Sequence, residues 1–185
     1  MLPHFQNNKE AFAAFVQHHQ QLVMNTALGI VQNKEDAEEI AQDVFVEVFE
    51  QHQHFKGESS VTTWLYRITT NKCIDHIRKK KTKKRFAFIT NLFHQNSNEP
   101  LHDAGHFVHP GVLAENKEKA ALLFKAIEQL PEKQKTAYVL YEIENLSYQE
   151  IAEILNSSIS SVESLLFRSR QRLRKILETF YKQQL

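Results

Sequence analysis

Hydrophobic residues recur along most of this 185-residue chain at the spacing of amphipathic α-helices. The clearest case is 34–51, where apolar side chains lie three and four residues apart on one face and acidic side chains occupy the other. The chain holds only four glycines and four prolines, which favours long helices over many turns. Further helices are predicted over 8–31, 58–78, 115–129 and 132–143. The pattern therefore predicts an all-α fold.

The helix predicted over 58–78 has an unusual polar face. Its apolar residues fall on two nearly opposite sides, so we expect it to be packed on both. The open strip between them, called here the aromatic-basic strip, consists of Trp64, Arg67, Asn71 and Arg78. Rings stack on bases and guanidinium groups neutralise phosphates, so such a strip suits nucleic acid. A core tryptophan beside a solvated basic helix end is the alternative interpretation.

Residues 146–177 carry the pattern of a helix-turn-helix. Ser147 and Glu150 predict a capping box that opens a short helix, and Asn156 suits the left-handed conformation of a tight turn. Ser160 and Glu163 predict a second capping box that opens a longer helix with a polar and basic outer face. In a helix-turn-helix such a face enters the major groove of DNA, whereas an ordinary helical hairpin needs no such face.

The net charge of +1 predicts no polyanionic partner, but the charges are clustered. Residues 34–50 hold seven acidic residues and one lysine, residues 56–85 hold ten basic and two acidic residues, and residues 168–175 hold five basic residues. Two basic clusters favour two nucleic-acid contacts. The acidic face of 34–51 indicates either a docking face for a basic partner or a solvated surface.

Several classes of function lack support in the sequence. A phosphate-binding glycine loop, a nucleophile elbow and a metal-ligand spacing are all missing, so we expect no enzymatic activity, no cofactor and no metal. The lone Cys73 excludes an internal disulfide, fits a reducing compartment, and is expected to be a buried, inert thiol. No apolar run approaches the roughly 18 residues of a membrane span, so a soluble cytoplasmic protein without membrane insertion is expected.

The composition divides the chain into two small helical domains, 1–85 and 115–185, joined by a flexible linker over 86–114. The linker contains a short apolar segment at 86–93. It also carries four histidines, His94, His102, His106 and His109. They could bind a metal, or they could simply belong to the composition of a polar tether.

Both halves together resemble the extracytoplasmic-function (ECF) group of sigma-70 factors. Residues 36–81, which begin DAEEIAQDVFVEVF, resemble sigma region 2, and residues 130–177, which begin LPEKQKTAYVLY, resemble region 4. The resemblance covers nearly all of the chain except the linker, and two motifs in the right order are more specific than either alone. It implies a non-catalytic RNA polymerase subunit that directs promoter recognition and DNA melting.

The resemblance implies partners and residue roles. The partners are core RNA polymerase, through its β′ clamp helices and β subunit, promoter DNA and an anti-sigma factor. Polymerase contacts are implied for Glu39, Ile40, Gln42, Asp43 and Phe45. Contacts to the −10 element and roles in melting are implied for His54, Phe55, Lys56, Ser59, Ser60, Trp64, Arg67, Asn71 and Arg78. Contacts to the −35 element are implied for Lys133, Tyr148, Ser160, Ser161, Ser164, Phe167, Arg168 and Gln171.

The sequence departs from the family pattern at two positions of the second helix of the helix-turn-helix. Glu163 and Leu165 stand where many members carry basic residues, which shifts the expected −35 contacts onto Ser164, Phe167, Arg168 and Gln171. Two other hypotheses stay open, an ordinary helix-turn-helix regulator and an unrecognised enzyme. A plain regulator would need neither the acidic face nor the aromatic-basic strip.

Overall fold

The computed structural model describes residues 5, 8–55, 57, 59–93 and 117–183. Within these ranges the chain forms seven α-helices and no strand, which confirms the predicted all-α fold. The helices are α1 (Lys9–Val31), α2 (Lys34–Gln51), α3 (Val61–Phe93), α4 (Lys117–Glu128), α5 (Glu132–Glu142), α6 (Tyr148–Ile154) and α7 (Ile159–Gln183). Among them, none is both long enough and apolar enough to cross a bilayer.

Local signals set most of the helix ends. Asn8 and Asn33 cap α1 and α2 with their side-chain oxygens, which accept from backbone N–H groups three residues later. The capping box of Ser147 and Glu150 at the start of α6 is confirmed, with both reciprocal hydrogen bonds formed. Asn156 adopts the predicted left-handed conformation, with φ of +46°, in the turn before α7.

The second predicted capping box is wrong. Helix α7 begins at Ile159, one residue before the expected cap, and Ser158 Oγ accepts the backbone N–H of Ser161 at 3.2 Å. Ser158 therefore caps α7, because it precedes the first turn and its hydroxyl reaches the third helical N–H. Glu163 lies beyond that turn and takes no part in capping.

Helix α3 is longer than the sequence predicted. It begins at Val61 and continues to Phe93, so residues 86–93, assigned to the linker, extend the helix instead. Unbroken helix-forming residues after Arg78, mostly lysines and then apolar side chains, explain the extension. The rest of the predicted flexible linker, 94–114, with its four histidines, lies outside the described residues.

The N-terminal half consists of α1–α3 and the C-terminal half of α4–α7. In the first, α1, α2 and α3 pack against one another through the predicted apolar stripes, with Val23, Val44 and Leu65 fully buried. Cys73 is also buried, as expected, and burial raises the pKa of its thiol. In the second half, α5, α6 and α7 bury Leu140, among others, in a compact helix-turn-helix core.

The two halves are packed directly on each other and share apolar clusters. Val23 and Ile30 of α1 belong to the same buried cluster as Ile127 and Val139 of the C-terminal half. Tyr66 of α3 reaches into the core of the helix-turn-helix. Within the described residues, the two halves therefore share buried side chains.

A glycine marks the point where α1 approaches α5. A Cβ atom placed on Gly29 would lie 2.9 Å from Cγ1 of Val139, closer than van der Waals contact allows. Gly29 lies inside α1, where glycine costs about 1 kcal/mol of helix stability relative to alanine. The close packing of the two helices is the physical reason for a glycine at this position.

Candidate nucleic-acid interface

The aromatic-basic strip begins with Trp64, which is half-buried rather than open. Its ring lies 5.0 Å from the ring of Phe55, at an angle of 43°. Ser60 caps α3, since its Oγ accepts the backbone N–H of Thr63 at 3.0 Å. The loop before α3 is thus tied to the strip by ring stacking and by a cap. His54 is exposed beside it and Ser59 half-buried, whereas Lys56 lies outside the described residues.

Arg67 faces the C-terminal half. Its Nη2 donates to the backbone oxygen of Glu153 at 3.3 Å and lies 3.7 Å from that residue's Oε1. Its Nε is buried and has no hydrogen-bond partner. Asn71, four residues later, lines with Arg67 one wall of an open cleft of about 490 Å³, and residues 152–157 of α6 and the following turn form the other. Arg67 and Asn71 therefore face the turn of the helix-turn-helix across this cleft, while Asn71 remains exposed to solvent.

Arg78 is also paired across the two halves. Its Nη2 and Nε lie 2.8 and 2.9 Å from Oε1 of Glu132, in the first turn of α5. The expectation that the whole strip is open is therefore wrong for this structure. A polar face that looks solvated in the sequence is here occupied by acidic and carbonyl groups from more than fifty residues away.

A buried polar pair lies between the halves next to the strip. The Tyr66 hydroxyl donates to Oε2 of Glu144 at 3.0 Å. Burial, and then the Glu144 charge, raise the pKa of this hydroxyl, so it stays a proton donor. Burial likewise raises the pKa of the Glu144 carboxyl, although the Tyr66 hydrogen bond opposes the shift. A hydrogen bond from Thr26 of α1 to the same carboxyl opposes the shift as well.

The outer face of α7 is open. We call it the reading face; it consists of Ser160, Ser161, Ser164, Phe167, Arg168 and Gln171, all exposed. Phe167 is 63% exposed, an unusual position for a large apolar ring. Opposite it, Val162, Leu166 and Ser169 are buried against α5 and α6. Because the apolar side of α7 is buried, its polar side and the Phe167 ring remain exposed. A helix that enters the major groove of DNA needs such an exposed face.

The other two predicted −35 residues lie at the start of α5 and α6. Lys133 is exposed. Tyr148 is half-buried and stacks on Tyr141, with ring centroids 5.1 Å apart. Arg170 lies over the Tyr141 ring at 5.1 Å and donates to Oε1 of Glu142 at 3.0 Å. This cation, which the sequence analysis did not single out, fixes α5 against α7.

The acidic face of α2 divides into paired and unpaired groups. Asp36 accepts from Lys80 at 2.6 Å and lies 3.2 Å from His76, and Glu47 pairs with Lys72 at 2.9 Å. These acids bind α2 to α3, so they are structural.

Exposed side chains remain along the outer side of α2 at Glu39, Gln42 and Asp43. Val46 is 56% exposed among them, an apolar group that interrupts the polar face and that the sequence analysis overlooked. Ile40, by contrast, is a core residue with 2% exposure, and Phe45 is half-buried against the core. The exposed surface of α2 is therefore acidic with two apolar side chains, Val46 and, at 36% exposure, Phe49.

Metal binding gains no support from the described part of the chain, in which no three histidine, cysteine, aspartate or glutamate side chains are grouped as a metal site would require. The four linker histidines lie outside that part. Sequence reasoning also missed Glu132, Glu144 and Glu153, the acidic residues of the C-terminal half that pair with α3. Their spacing carries no local signal, because each pairing joins distant segments.

Two family models match the chain. Sigma-70 region 2 matches residues 15–83, which include α2 and the aromatic-basic strip. Sigma-70 region 4 matches residues 120–173, which include the helix-turn-helix.

Two curated relatives match over most of their length. The ECF RNA polymerase sigma factor SigW of Bacillus subtilis is 34% identical over 175 residues, 92% of this chain and 90% of the relative. The ECF RNA polymerase sigma-E factor of Haemophilus influenzae is 31% identical over 170 residues, 90% of this chain and 87% of the relative.

Solved structures share the fold. The sigma factor RpoE from Bartonella quintana, solved with the anti-sigma factor NepR, has a TM-score of 0.67 and 21% identity, covering 90% of this chain and 96% of that one. CnrH, solved with the cytosolic domain of CnrY, has a TM-score of 0.64 and 20% identity, covering 95% and 93%.

Proposed function

Since this chain belongs to the ECF group of the sigma-70 family, whose members are transcription initiation factors, we propose that it binds core RNA polymerase and directs it to promoters by reading a −35 and a −10 element. The observation that carries the proposal is the reading face of α7, a polar and basic helix face open to solvent at the second helix of a helix-turn-helix. That geometry suits the major groove of the −35 duplex.

The N-terminal half supplies the other two contacts of the proposal. The exposed Glu39, Gln42, Asp43 and Val46 form a surface for the β′ clamp helices, in which the acids steer a basic partner and the valine is desolvated on docking. The aromatic-basic strip and the loop 54–60 contact the −10 element and stabilise its separated strands by stacking and phosphate neutralisation. Under this assignment, residues 1–85 act as region 2 and 115–185 as region 4.

Two further partners belong to the proposal. An anti-sigma factor is expected, because RpoE of Bartonella quintana was solved with one on the same fold. An open groove of about 370 Å³ between α4, α5 and α7, lined by Leu123, Tyr138 and Leu177 among others, is a candidate surface for the polymerase β subunit.

Transcription in vitro with purified core polymerase tests the proposed function. Adding the full-length protein to core should produce specific transcripts from a library of genomic fragments of its host, and core alone should produce none of them. Tight, sequence-specific binding of duplex DNA by a dimer of the free protein, without transcription, would favour an ordinary helix-turn-helix regulator instead.

A further inference from the structure

We propose that Arg172 and Lys175, called here the distal basic pair, bind the sugar-phosphate backbone beside the −35 element and supply affinity that does not depend on its base sequence. Both residues lie on α7 beyond the reading face, which ends at Gln171. The inference rests on the proposed function, because it assumes that α7 enters the major groove of that duplex.

The charges of α7 are distributed unevenly along the helix. Its first eight residues, 159–166, contain one acid and no base, whereas the next nine, 167–175, contain five bases and no acid. The acid, Glu163, is exposed, so it repels phosphates. In a helix-turn-helix the N-terminal residues of the second helix meet the base edges. The part of α7 that lies deepest in the groove therefore carries no cation, and attraction to the DNA backbone depends on residues after 166.

The five bases of 167–175 point to two sides of the helix. Arg170 donates to Glu142 and so faces α5, and Arg174 lines the open groove between α4, α5 and α7. These two cations belong to the packing of the C-terminal half. The other three recur at spacings of four and three residues, which places them on one side of the helix: Arg168, Arg172 and Lys175.

The distal basic pair has no acidic partner in the described part of the chain. Arg172 and Lys175 are both exposed, and neither side chain forms an ion pair or a hydrogen bond with a described residue. Glu178, the next acid along α7, lines the open groove beside Arg174 instead. Because no internal ion pair has to break first, both charges are available to an anion from outside.

The length of α7 places the distal basic pair at the edge of the groove. A helix rises about 1.5 Å per residue, so Arg172 and Lys175 lie about 20 and 24 Å along the axis from Ile159. The major groove of B-form DNA is only about 12 Å wide. When the first turns of α7 contact the bases, residues this far along the helix have passed the floor of the groove and meet the phosphates that border it. Such contacts fix the position of a protein on the duplex but do not read its sequence.

The surroundings of the distal basic pair favour a phosphate over a protein partner. Every exposed residue between 171 and 179 is polar or charged, so this side of α7 offers no apolar anchor of the kind that carries protein–protein affinity. The groove beside Arg174, by contrast, is lined by Leu123, Tyr138 and Leu177. A guanidinium fork matches the oxygens of a phosphate in bidentate fashion, and an ammonium group binds phosphate as a point charge.

The salt dependence of promoter binding tests the proposal. The double variant Arg172→Ala with Lys175→Ala, assembled with core polymerase, is titrated onto a labelled promoter fragment recovered in the transcription experiment, between about 50 and 200 mM salt. Each lost phosphate contact should reduce the slope of log K against log salt by about 0.9, so the double variant should lose about two units of slope and bind at least about tenfold more weakly at the low-salt end. Both residues are exposed, so circular dichroism should show an unchanged fold.

Two further variants separate local charge from net charge. Lys9→Ala with Lys119→Ala removes the same number of charges from exposed positions of α1 and α4, and should leave the slope unchanged. Exchange of the two side chains, Arg172→Lys with Lys175→Arg, keeps both charges in place and should retain the wild-type slope, because phosphate neutralisation does not depend on which cation supplies it.

Selection from a promoter library randomised across the −35 element completes the test. The double alanine variant should keep the wild-type base preference, whereas Arg168→Ala should relax it at one position. An unchanged salt slope would overturn the role of the pair, and a changed base preference would mean that the pair reads bases instead of phosphates. Weaker binding to core polymerase, measured by competition, would identify a protein partner for this side of α7 and would overturn the proposal as well. A wild-type holoenzyme that prefers no sequence would instead overturn the proposed function.

Discussion

Asp43→Lys should abolish productive assembly with core polymerase, lowering affinity by about a hundredfold or more, because placing like charges together at an interface costs several kcal/mol. Asp43 is exposed on α2 and its charge supports the nearby Lys72, so the substitution should change the free energy of unfolding by only about 0.5 kcal/mol. Binding is measured by competition with a fluorescent sigma factor for core, and folding by circular dichroism.

A control separates docking from net charge. Glu10→Lys makes the same change in charge in the first turn of α1, away from the proposed docking face, and should bind core normally. Phe45→Ala should be made separately, because Phe45 packs partly against the core and its loss costs stability as well. Normal transcription by the Asp43→Lys protein would contradict the assignment of α2 to polymerase.

Asn71→Ala and Arg168→Ala should fail for different reasons, and a template with a pre-opened bubble at −10 should tell them apart. Asn71 is exposed at the cleft between the halves, and its proposed contact is to separated strands. Its loss should reduce strand opening while −35 recognition persists, so the bubble should restore much of the transcription. Arg168 is exposed on the reading face, and its loss should cost about 1–3 kcal/mol of duplex recognition if it contacts a base in bidentate fashion.

The bubble should not rescue Arg168→Ala to the same degree, because the −35 duplex still has to be read in the groove. Permanganate reactivity of thymines at −10 measures opening, and footprinting at −35 measures duplex contact. Equal rescue of both variants, or rescue of neither, would contradict the division of labour between the two halves.

Local rules predicted the elements of this fold better than their assembly. The helical periodicity, the Ser147 capping box and the left-handed Asn156 all depend on neighbours within four residues, so the sequence displays them directly. The cap of α7 was misplaced by two residues, because the serines at 157, 158, 160 and 161 offer several competing hydroxyls. The polar outer face of α7 was nevertheless assigned correctly, since the apolar spacing does not depend on the cap.

The packing of the two halves could not be predicted in the same way. The partners of Arg67 and Arg78 lie 86 and 54 residues away, and a polar strip has the same composition whether water or acidic side chains cover it. Gly29 was the one local signal, because a glycine within a helical pattern usually has a packing reason. Without knowledge of Val139, however, the sequence does not say what approaches it.

Gly29 sets how closely α1 and α5 approach each other. The contact with Val139 depends on the absence of one methyl group, and that group would also favour α1 as a helix. Alanine, serine and valine at position 29 therefore form a series graded in side-chain size, in which helix propensity and packing against α5 change separately. The midpoints of thermal unfolding of the three variants would give the cost of each added heavy atom at this contact.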